Sequence, residues 1–147
     1  MLKLALKLPK RRDMLDEKIT KRKVLVLDDM STIREAMQSA LRKLGFAKIQ
    51  QSADGQDGWN KLKQNVDEPF GLIFSDINMP NCNGIEFVKL LRTLDVYKSV
   101  PVIMVSSENE SHIILDAISA GANNYVLKPF TPNTIEQKIT EVFNKLK

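Results

Sequence analysis

The sequence contains very few of the residues that cross-link a protein or anchor it in a membrane. It has one cysteine, Cys82, and one histidine, His112, among 147 residues. A lone cysteine cannot form an internal disulfide, so we assign Cys82 no chemical role. His112 lies at the start of a predicted helix, and we interpret it as a surface residue. No apolar run approaches the roughly 20 residues of a membrane span, and lysines interrupt residues 1–8 too often for a signal-peptide core. These absences predict a cytoplasmic protein without a membrane span.

Positive charge is concentrated at the start of the chain. Residues 1–23 hold nine Lys and Arg against three acids, and residues 24–147 hold 13 basic and 15 acidic groups, although the whole chain has a net charge of +4. The body is therefore slightly acidic and has no stripe of Lys and Arg with interleaved aromatics that could follow a phosphate backbone. We predict a basic N-terminal extension over residues 1–20, one domain over 21–147, and no direct contact with nucleic acid.

Strand-like and helix-like patterns alternate five times after the extension. That alternation predicts an α/β fold with a parallel sheet. The predicted strands are 23–27, 47–51, 70–75, 100–105 and 124–127. The predicted helices begin at Ser31 or Thr32 as N-cap, after Gly55, at Gly84, near Glu110 and after Thr131-Pro132.

Carboxylates follow two of the predicted buried strands at the point where each strand ends. Asp28 and Asp29 come directly after the apolar run 24–27, and Asp76 comes after the run that includes residues 72–74. The carboxyl ends of parallel strands meet at one edge of a sheet, where open α/β sheets place their sites. Carboxylates gathered there repel one another, and hard oxygen ligands of this kind suit Mg²⁺. The sequence therefore predicts a magnesium site at this edge.

A hydroxyl and an amine end the next two predicted strands. Ser106 follows the run 102–105, and Lys128 follows the run 125–127 and precedes Pro129, which restricts the backbone of the residue before it. A fixed ammonium near clustered carboxylates balances their charge and also suits an incoming phosphoryl group. Five convergent positions make a solvated loop an unsatisfactory explanation for these residues.

Four segments of the sequence together resemble the receiver domain of two-component response regulators, and in particular the single-domain chemotaxis regulators. They are residues 24–46, the run Ser75-Asp76-Ile77-Asn78-Met79-Pro80, the run Ser106-Ser107-Glu108, and the run Tyr125-Val126-Leu127-Lys128-Pro129-Phe130. The resemblance covers about residues 22–147. It implies a flavodoxin-like fold, in which a five-stranded parallel sheet of order 2-1-3-4-5 is flanked by five helices.

The resemblance also implies a phosphoacceptor and a metal site. Asp76 matches the carboxylate that accepts a phosphoryl group from a histidine kinase. Asp29 matches a direct Mg²⁺ ligand, Asp28 matches a neighbour that helps to hold the metal, often through water, and Asn78 matches a ligand through its main-chain carbonyl. Asp76 belongs to the same metal-binding set.

Further roles around the phosphoryl group come from the same resemblance. Lys128 matches the residue that contacts the phosphoryl oxygens, and Ser106 matches the hydroxyl that bonds to the group once it arrives. Tyr125 resembles the aromatic switch that turns inward when that hydroxyl moves. Asn78 and Glu108 match the two positions that tune how fast water removes the phosphoryl group.

The resemblance predicts a cytoplasmic switch that catalyses only its own phosphorylation and dephosphorylation. No DNA-binding extension follows the last predicted helix, so we expect output through protein contact, with the flagellar motor switch as the leading partner and a phosphatase as a further one. The output surface would comprise the helix near 110–120, the strand 124–127 and the final helix. A relay receiver that passes the phosphoryl group onward is the nearest variant.

Three positions depart from the chemotaxis pattern, and one enzyme class offers an alternative. Ile77, Ser107 and Asn83 stand where tryptophan, alanine and aspartate are common. The alternative is a Mg²⁺-dependent aspartyl phosphatase of the haloacid-dehalogenase type, which also uses Asp, Ser or Thr, Lys and a metal on a parallel sheet. That class places its nucleophile in an Asp-x-Asp motif after the first strand, whereas Asp28 and Asp29 are adjacent.

Overall fold

A five-stranded parallel sheet forms the centre of the protein. The computed structural model describes residues 15–145, and in it the strands lie in the order β2-β1-β3-β4-β5. Their bounds are Val24–Leu27 for β1, Ile49–Ser52 for β2, Leu72–Ser75 for β3, Val102–Ser106 for β4 and Asn124–Leu127 for β5. The predicted sheet and the order 2-1-3-4-5 are confirmed.

Six α-helices surround the sheet within the described residues, one more than the five that were predicted. They are α1 (Glu17–Thr20), α2 (Ser31–Lys43), α3 (Gly55–Gln64), α4 (Gly84–Leu91), α5 (Ser111–Ala120) and α6 (Pro132–Lys145), with a 3-10 turn at Asp95–Tyr97. The additional helix is α1, whose four residues are too few to show a helical period in the sequence. None of the helices in residues 15–145 is long and apolar enough to cross a bilayer.

The sheet is covered on both faces, which explains why β1 is apolar throughout and why β3 and β4 are apolar up to the serine that ends each of them. Leu25 and Ile73 contribute to the core on one face, and Val24 and Phe74 to the core on the other. Every residue of these three strands is buried. Buried parallel strands of this kind require continuous apolar runs, because neither face meets water.

Part of the predicted extension packs on the domain. Leu15 and Ile19 are partly buried against the core cluster that contains Val24 and Phe46. Residues 1–14 of the predicted extension lie outside the described part of the chain. The domain boundary at residue 20 stays a prediction, but the contacts place α1 against the folded core.

Arg92 joins several main-chain segments at the amino ends of β4 and β5. Its guanidinium donates to the main-chain oxygens of Val100 and Gly121, each at 2.7 Å, and to Asn123 Oδ1 at 3.0 Å. Asn123 in turn accepts from the Val102 main-chain nitrogen at 2.8 Å through the same Oδ1. One half-buried side chain thus fixes the beginnings of two strands to the end of α4.

Candidate functional site

Main-chain hydrogen bonds between strands place the predicted site residues at the carboxyl edge of the sheet. The Asp28 nitrogen donates to the Ser52 oxygen at 3.1 Å, and the Asp76 nitrogen donates to the Leu27 oxygen at 2.9 Å. The same ladder continues across the sheet, where the Lys128 nitrogen donates to the Ser106 oxygen at 3.0 Å. Each residue therefore takes its position from the strand beside it and not from a free loop.

The three predicted carboxylates come together at this edge. One oxygen from each of Asp28, Asp29 and Asp76 lies within 4.8 Å of the other two. Asp28 and Asp76 are buried, with side chains 3% and 8% exposed, whereas Asp29 is exposed to solvent. The cluster thus has a buried floor and one open side through which an ion can approach.

Lys128 supplies positive charge to this cluster. Its Nζ lies 2.7 Å from Asp28 Oδ2 and 3.0 Å from Asp76 Oδ2, and its side chain is only 14% exposed. Desolvation lowers the pKa of the amine, but the bonds to Asp28 and Asp76 outweigh it, and the net shift is upward. Lys128 therefore stays protonated and bridges the two buried carboxylates.

The carboxylates of Asp28 and Asp76 have further partners on the main chain. Burial raises the pKa of Asp28, and the bonds from Lys128 and from the Met30 nitrogen oppose that rise. The Met30 nitrogen donates to Asp28 Oδ1 at 2.9 Å, and the Ile77 nitrogen donates to Asp76 Oδ1 at 2.7 Å. These bonds fix the orientation of both carboxylates before any ligand arrives.

The chemistry of this donor set fits Mg²⁺. Carboxylate oxygens are the hard ligands that this ion takes in proteins, and it is commonly held by one or two of them together with waters. The cluster offers three, from the buried Asp28 and Asp76 and the exposed Asp29. The Lys128 ammonium offsets only part of their negative charge, and a divalent cation would complete the balance.

Hydrogen bonds to the main chain of Glu108, in the loop after β4, connect Ser106 and Tyr125. The fully buried Ser106 accepts a hydrogen bond at Oγ from the Glu108 nitrogen at 3.3 Å. The Tyr125 hydroxyl donates to the Glu108 main-chain oxygen at 2.6 Å. Burial raises the pKa of the Tyr125 phenol, and a hydrogen bond with Ser106 acts in the opposite direction. All three predicted residues thus meet in one network.

The loop after Asp76 is held from both ends. The Gly84 nitrogen donates to the Ile77 oxygen at 2.8 Å. Asn83, one of the departures noted in the sequence, caps α4 in a reciprocal arrangement with Glu86. Between these anchors Asn78 is exposed beside Asp76. Its main-chain carbonyl as a metal ligand stays a prediction.

Arg34 contacts the site and was missed by the sequence analysis. It lies in the second turn of α2, and its guanidinium donates to the main-chain oxygen of Asp28 at 2.6 Å. The available signal was an arginine shortly after the acidic pair on a helix that starts beside it. That signal is weak, because most arginines on surface helices are solvated.

The two rare residues of the sequence lie outside this cluster. His112 is 69% exposed and lies 3.4 Å from a Glu110 carboxylate oxygen, in agreement with its interpretation as a surface residue. Cys82 is buried, and burial raises the pKa of its thiol, which keeps it protonated.

Comparisons with known proteins find similar sequences and similar folds. The response regulator receiver domain model matches residues 24–140. The chain is 37% identical over 120 residues to the chemotaxis protein CheY1 of Helicobacter pylori, a match that covers 82% of this chain and 95% of that protein. The structure of Vibrio cholerae CheY4 superposes with a TM-score of 0.76 at 32% identity and covers 83% of this chain and 98% of its own. A CheX-CheY-BeF3-Mg²⁺ complex from Borrelia burgdorferi gives a TM-score of 0.80 at 25% identity, with 92% and 98% covered.

Proposed function

Because this chain belongs to the family of response regulator receiver domains, we propose that it is a phosphorylation-activated switch of the chemotaxis type in which Asp76 accepts the phosphoryl group. One observation carries the proposal: Lys128 bridges the buried carboxylates of Asp28 and Asp76 inside a cluster of three acids. This arrangement gathers a carboxylate nucleophile, a fixed cation and metal ligands at one accessible edge. Phosphoryl transfer requires chiefly positioning and charge neutralisation, and these groups supply both.

The proposed donor is a phosphohistidine on a histidine kinase. A carboxylate oxygen of Asp76 forms a bond to phosphorus while the bond between phosphorus and the histidine nitrogen breaks, and the imidazole leaves with the electron pair. Asp28, Asp29 and Asp76 would hold Mg²⁺, which would neutralise charge on the transferring oxygens. The product is an acyl phosphate on Asp76.

Lys128 and Ser106 are the proposed contacts of the phosphoryl group. A lysine ammonium has three donors, and two of those on Lys128 are taken by Asp28 and Asp76. The third can bond to a phosphoryl oxygen without releasing either carboxylate. The Ser106 hydroxyl lies at the end of β4, beside the strand that carries Asp76, and it can donate to a second oxygen.

The proposed output is a change in the surface formed by α5, β5 and α6. A shift of Ser106 toward the phosphoryl group would disturb its bond with the Glu108 nitrogen, and the oxygen of Glu108 holds the Tyr125 hydroxyl. Large apolar side chains are already exposed on this surface, with Leu115 at 63% and Leu127 at 47%. We propose that an output protein, with the flagellar motor switch as the leading candidate, binds this surface.

Likeness to the Borrelia burgdorferi complex supports Mg²⁺ and a partner protein. The name of that structure pairs a CheY protein with CheX, BeF3 and Mg²⁺, and we propose a phosphatase as a further partner of this chain. The haloacid-dehalogenase alternative is not favoured, because the receiver-domain model matches residues 24–140.

The test uses the full-length protein, Mg²⁺ and acetyl phosphate, with intact mass spectrometry as the readout. We expect one added phosphoryl group on the wild type and none on Asp76→Asn, whose amide preserves the side-chain volume but is a poor nucleophile. Circular dichroism establishes that both proteins are folded. A folded wild type without any adduct, or normal labelling of Asp76→Asn, would contradict the proposal.

A further inference from the structure

Arg34 bonds to two neutral acceptors and to none of the carboxylates beside it. Its Nη1 donates to the Asp28 main-chain oxygen at 2.6 Å, and its Nε donates to Gln51 Oε1 at 3.0 Å. Within residues 15–145 it forms no ion pair. This half-buried guanidinium is thus directed at the main-chain carbonyl of one of the three acids and not at a carboxylate.

Gln51 fixes the other side of this guanidinium. Its side-chain nitrogen pairs with Gln38 on α2, and its main-chain oxygen accepts from Lys61 on α3. Gln51 also lies in β2, where it is paired with Val26 of β1. Gln51 therefore contacts α2, α3 and β1, which fix its position. Arg34 joins this residue to the main-chain oxygen of Asp28.

The two neighbouring acids differ sharply in how they are held. Every hydrogen-bonding group of Asp28 has a partner, because its nitrogen bonds to Ser52, its oxygen to Arg34, and its carboxylate to Met30 and Lys128. In the described part of the chain no hydrogen bond restrains the carboxylate of Asp29. Its position depends on the peptide unit that joins it to Asp28, whose oxygen is the one that Arg34 holds.

We infer that Arg34 is a positioning residue that orients the peptide between Asp28 and Asp29 and thereby fixes the Asp29 carboxylate for the metal. The inference rests on the proposed function, since it assigns Arg34 a role toward the same magnesium site. Outer partners of metal ligands typically change metal affinity by about 10- to 100-fold when they are removed. An arginine is well suited to the task because its planar fork reaches two acceptors at once.

The charge of Arg34 provides a clear test of this inference. If Arg34 acted through charge alone, its removal would strengthen cation binding, because a nearby positive charge repels the ion. If it acts by positioning, its removal weakens cation binding despite the lost repulsion. The two roles thus predict opposite signs for one substitution.

The experiment measures Mn²⁺ binding by the electron paramagnetic resonance signal of the free ion, with Mg²⁺ competition, on full-length unphosphorylated protein. We expect Arg34→Met to bind Mn²⁺ about tenfold more weakly than the wild type. Arg34→Lys keeps the charge but loses the fork, so we expect it to bind a few times more weakly. The control is Lys43→Met, which removes an equal charge from an exposed position on the same helix, and we expect it to stay within about a factor of two.

A second variant covers the case in which Arg34→Met does not fold. Gln51→Leu leaves Arg34 in place and removes the acceptor of Arg34 Nε together with the side-chain contact to Gln38. We expect it to weaken Mn²⁺ binding by less than Arg34→Met. Unchanged or tighter binding by folded Arg34→Met, or unchanged binding by Gln51→Leu, would overturn the inference. If the wild type itself neither binds Mn²⁺ nor accepts phosphate, the proposed function fails, which is a separate result.

Discussion

Gly84 packs against the main chain of Asp76 so closely that no side chain fits between them. A Cβ atom on Gly84 would lie 2.9 Å from the Asp76 carbonyl carbon and would overlap its oxygen. Since main-chain atoms cannot rotate away as a side chain can, the phosphoacceptor or the start of α4 would have to move. Asp76 can therefore take this position only because residue 84 is a glycine.

We therefore expect Gly84→Ala to lower the free energy of unfolding by about 1 to 3 kcal/mol and to slow labelling by acetyl phosphate. Gly71→Ala is the comparison, because its new Cβ would meet only side-chain atoms, Arg22 Cβ and Cγ at 3.0 Å, and no main-chain atom of the site. We expect a smaller loss of stability and an unchanged labelling rate. Urea denaturation and the labelling rate measure the two effects. Normal stability and rate in Gly84→Ala would show that the loop after Asp76 adjusts freely.

Asp29→Ala should have opposite effects on metal binding and on metal-free stability. Asp29 is a proposed direct ligand, and its loss should weaken Mg²⁺ binding by more than about tenfold, since loss of an outer partner alone costs that much. The same change removes one of three mutually repelling carboxylates, so we expect a higher urea midpoint in EDTA. A clear loss of stability in EDTA would mean that Asp29 is a satisfied structural residue.

The phosphorylated form should have a short lifetime for a receiver domain. Asn78 is exposed beside Asp76, and Glu108 is half-buried at the start of the loop after β4, so both leave room for attacking water. We expect Asn78→Arg to prolong the lifetime several-fold, because a long basic side chain can cover the phosphoryl group. Asn60→Arg adds the same charge at an exposed position on α3 and should leave the lifetime unchanged. A wild-type phosphoform that lasts for hours would contradict this prediction.

The position of α1 refines the expected effect of truncating the chain. A chain that begins at Met14 keeps Leu15 and Ile19, which pack on the core, and we expect it to label at an unchanged rate and to melt within a few degrees of the full-length protein. A chain that begins at Lys21 loses both contacts, which we expect to cost about 1 to 3 kcal/mol and several degrees in melting temperature. Equal melting temperatures for the two truncated chains would show that α1 contributes nothing to stability.

The sequence predicted the carboxyl edge of the sheet, where the candidate site lies, better than the amino edge. A buried run that ends in a polar residue marks the strand's exit from the core, which identified Asp28, Asp76 and Ser106 directly. The starts of β3 and β4 were placed two residues too early, since Leu72 and Val102 begin them in the structure. Gly71 and Pro101 precede those residues, and apolar neighbours before them made the runs look longer than the pairing allows.

Contacts between a side chain and a distant main chain were not predictable from the sequence. The bonds of Arg92 to Gly121 span 29 positions, and nothing distinguishes Arg92 from a solvated arginine without the fold. The expected N-cap of α2 at Ser31 or Thr32 was also wrong, because Met30 takes that position without a side-chain bond of its own. The Asp28 carboxylate accepts from the Met30 nitrogen instead, so the site itself starts the helix.

The bonds of Arg92 fix β4 and β5 at their amino ends and leave their carboxyl ends unrestrained by this residue. The guanidinium holds Val100 and Gly121, and Asn123 holds the first residue of β4, so β4 and β5 cannot slide past each other at their amino ends. A displacement of Ser106 at the far end of β4 therefore cannot be relieved by moving the whole strand. The residues directly after β4 must move instead. They include Glu108, whose main-chain oxygen accepts from the Tyr125 hydroxyl. In hydrogen exchange, the amides near Val102 should be equally protected with and without the phosphoryl group, and the amides that change should lie after Ser106.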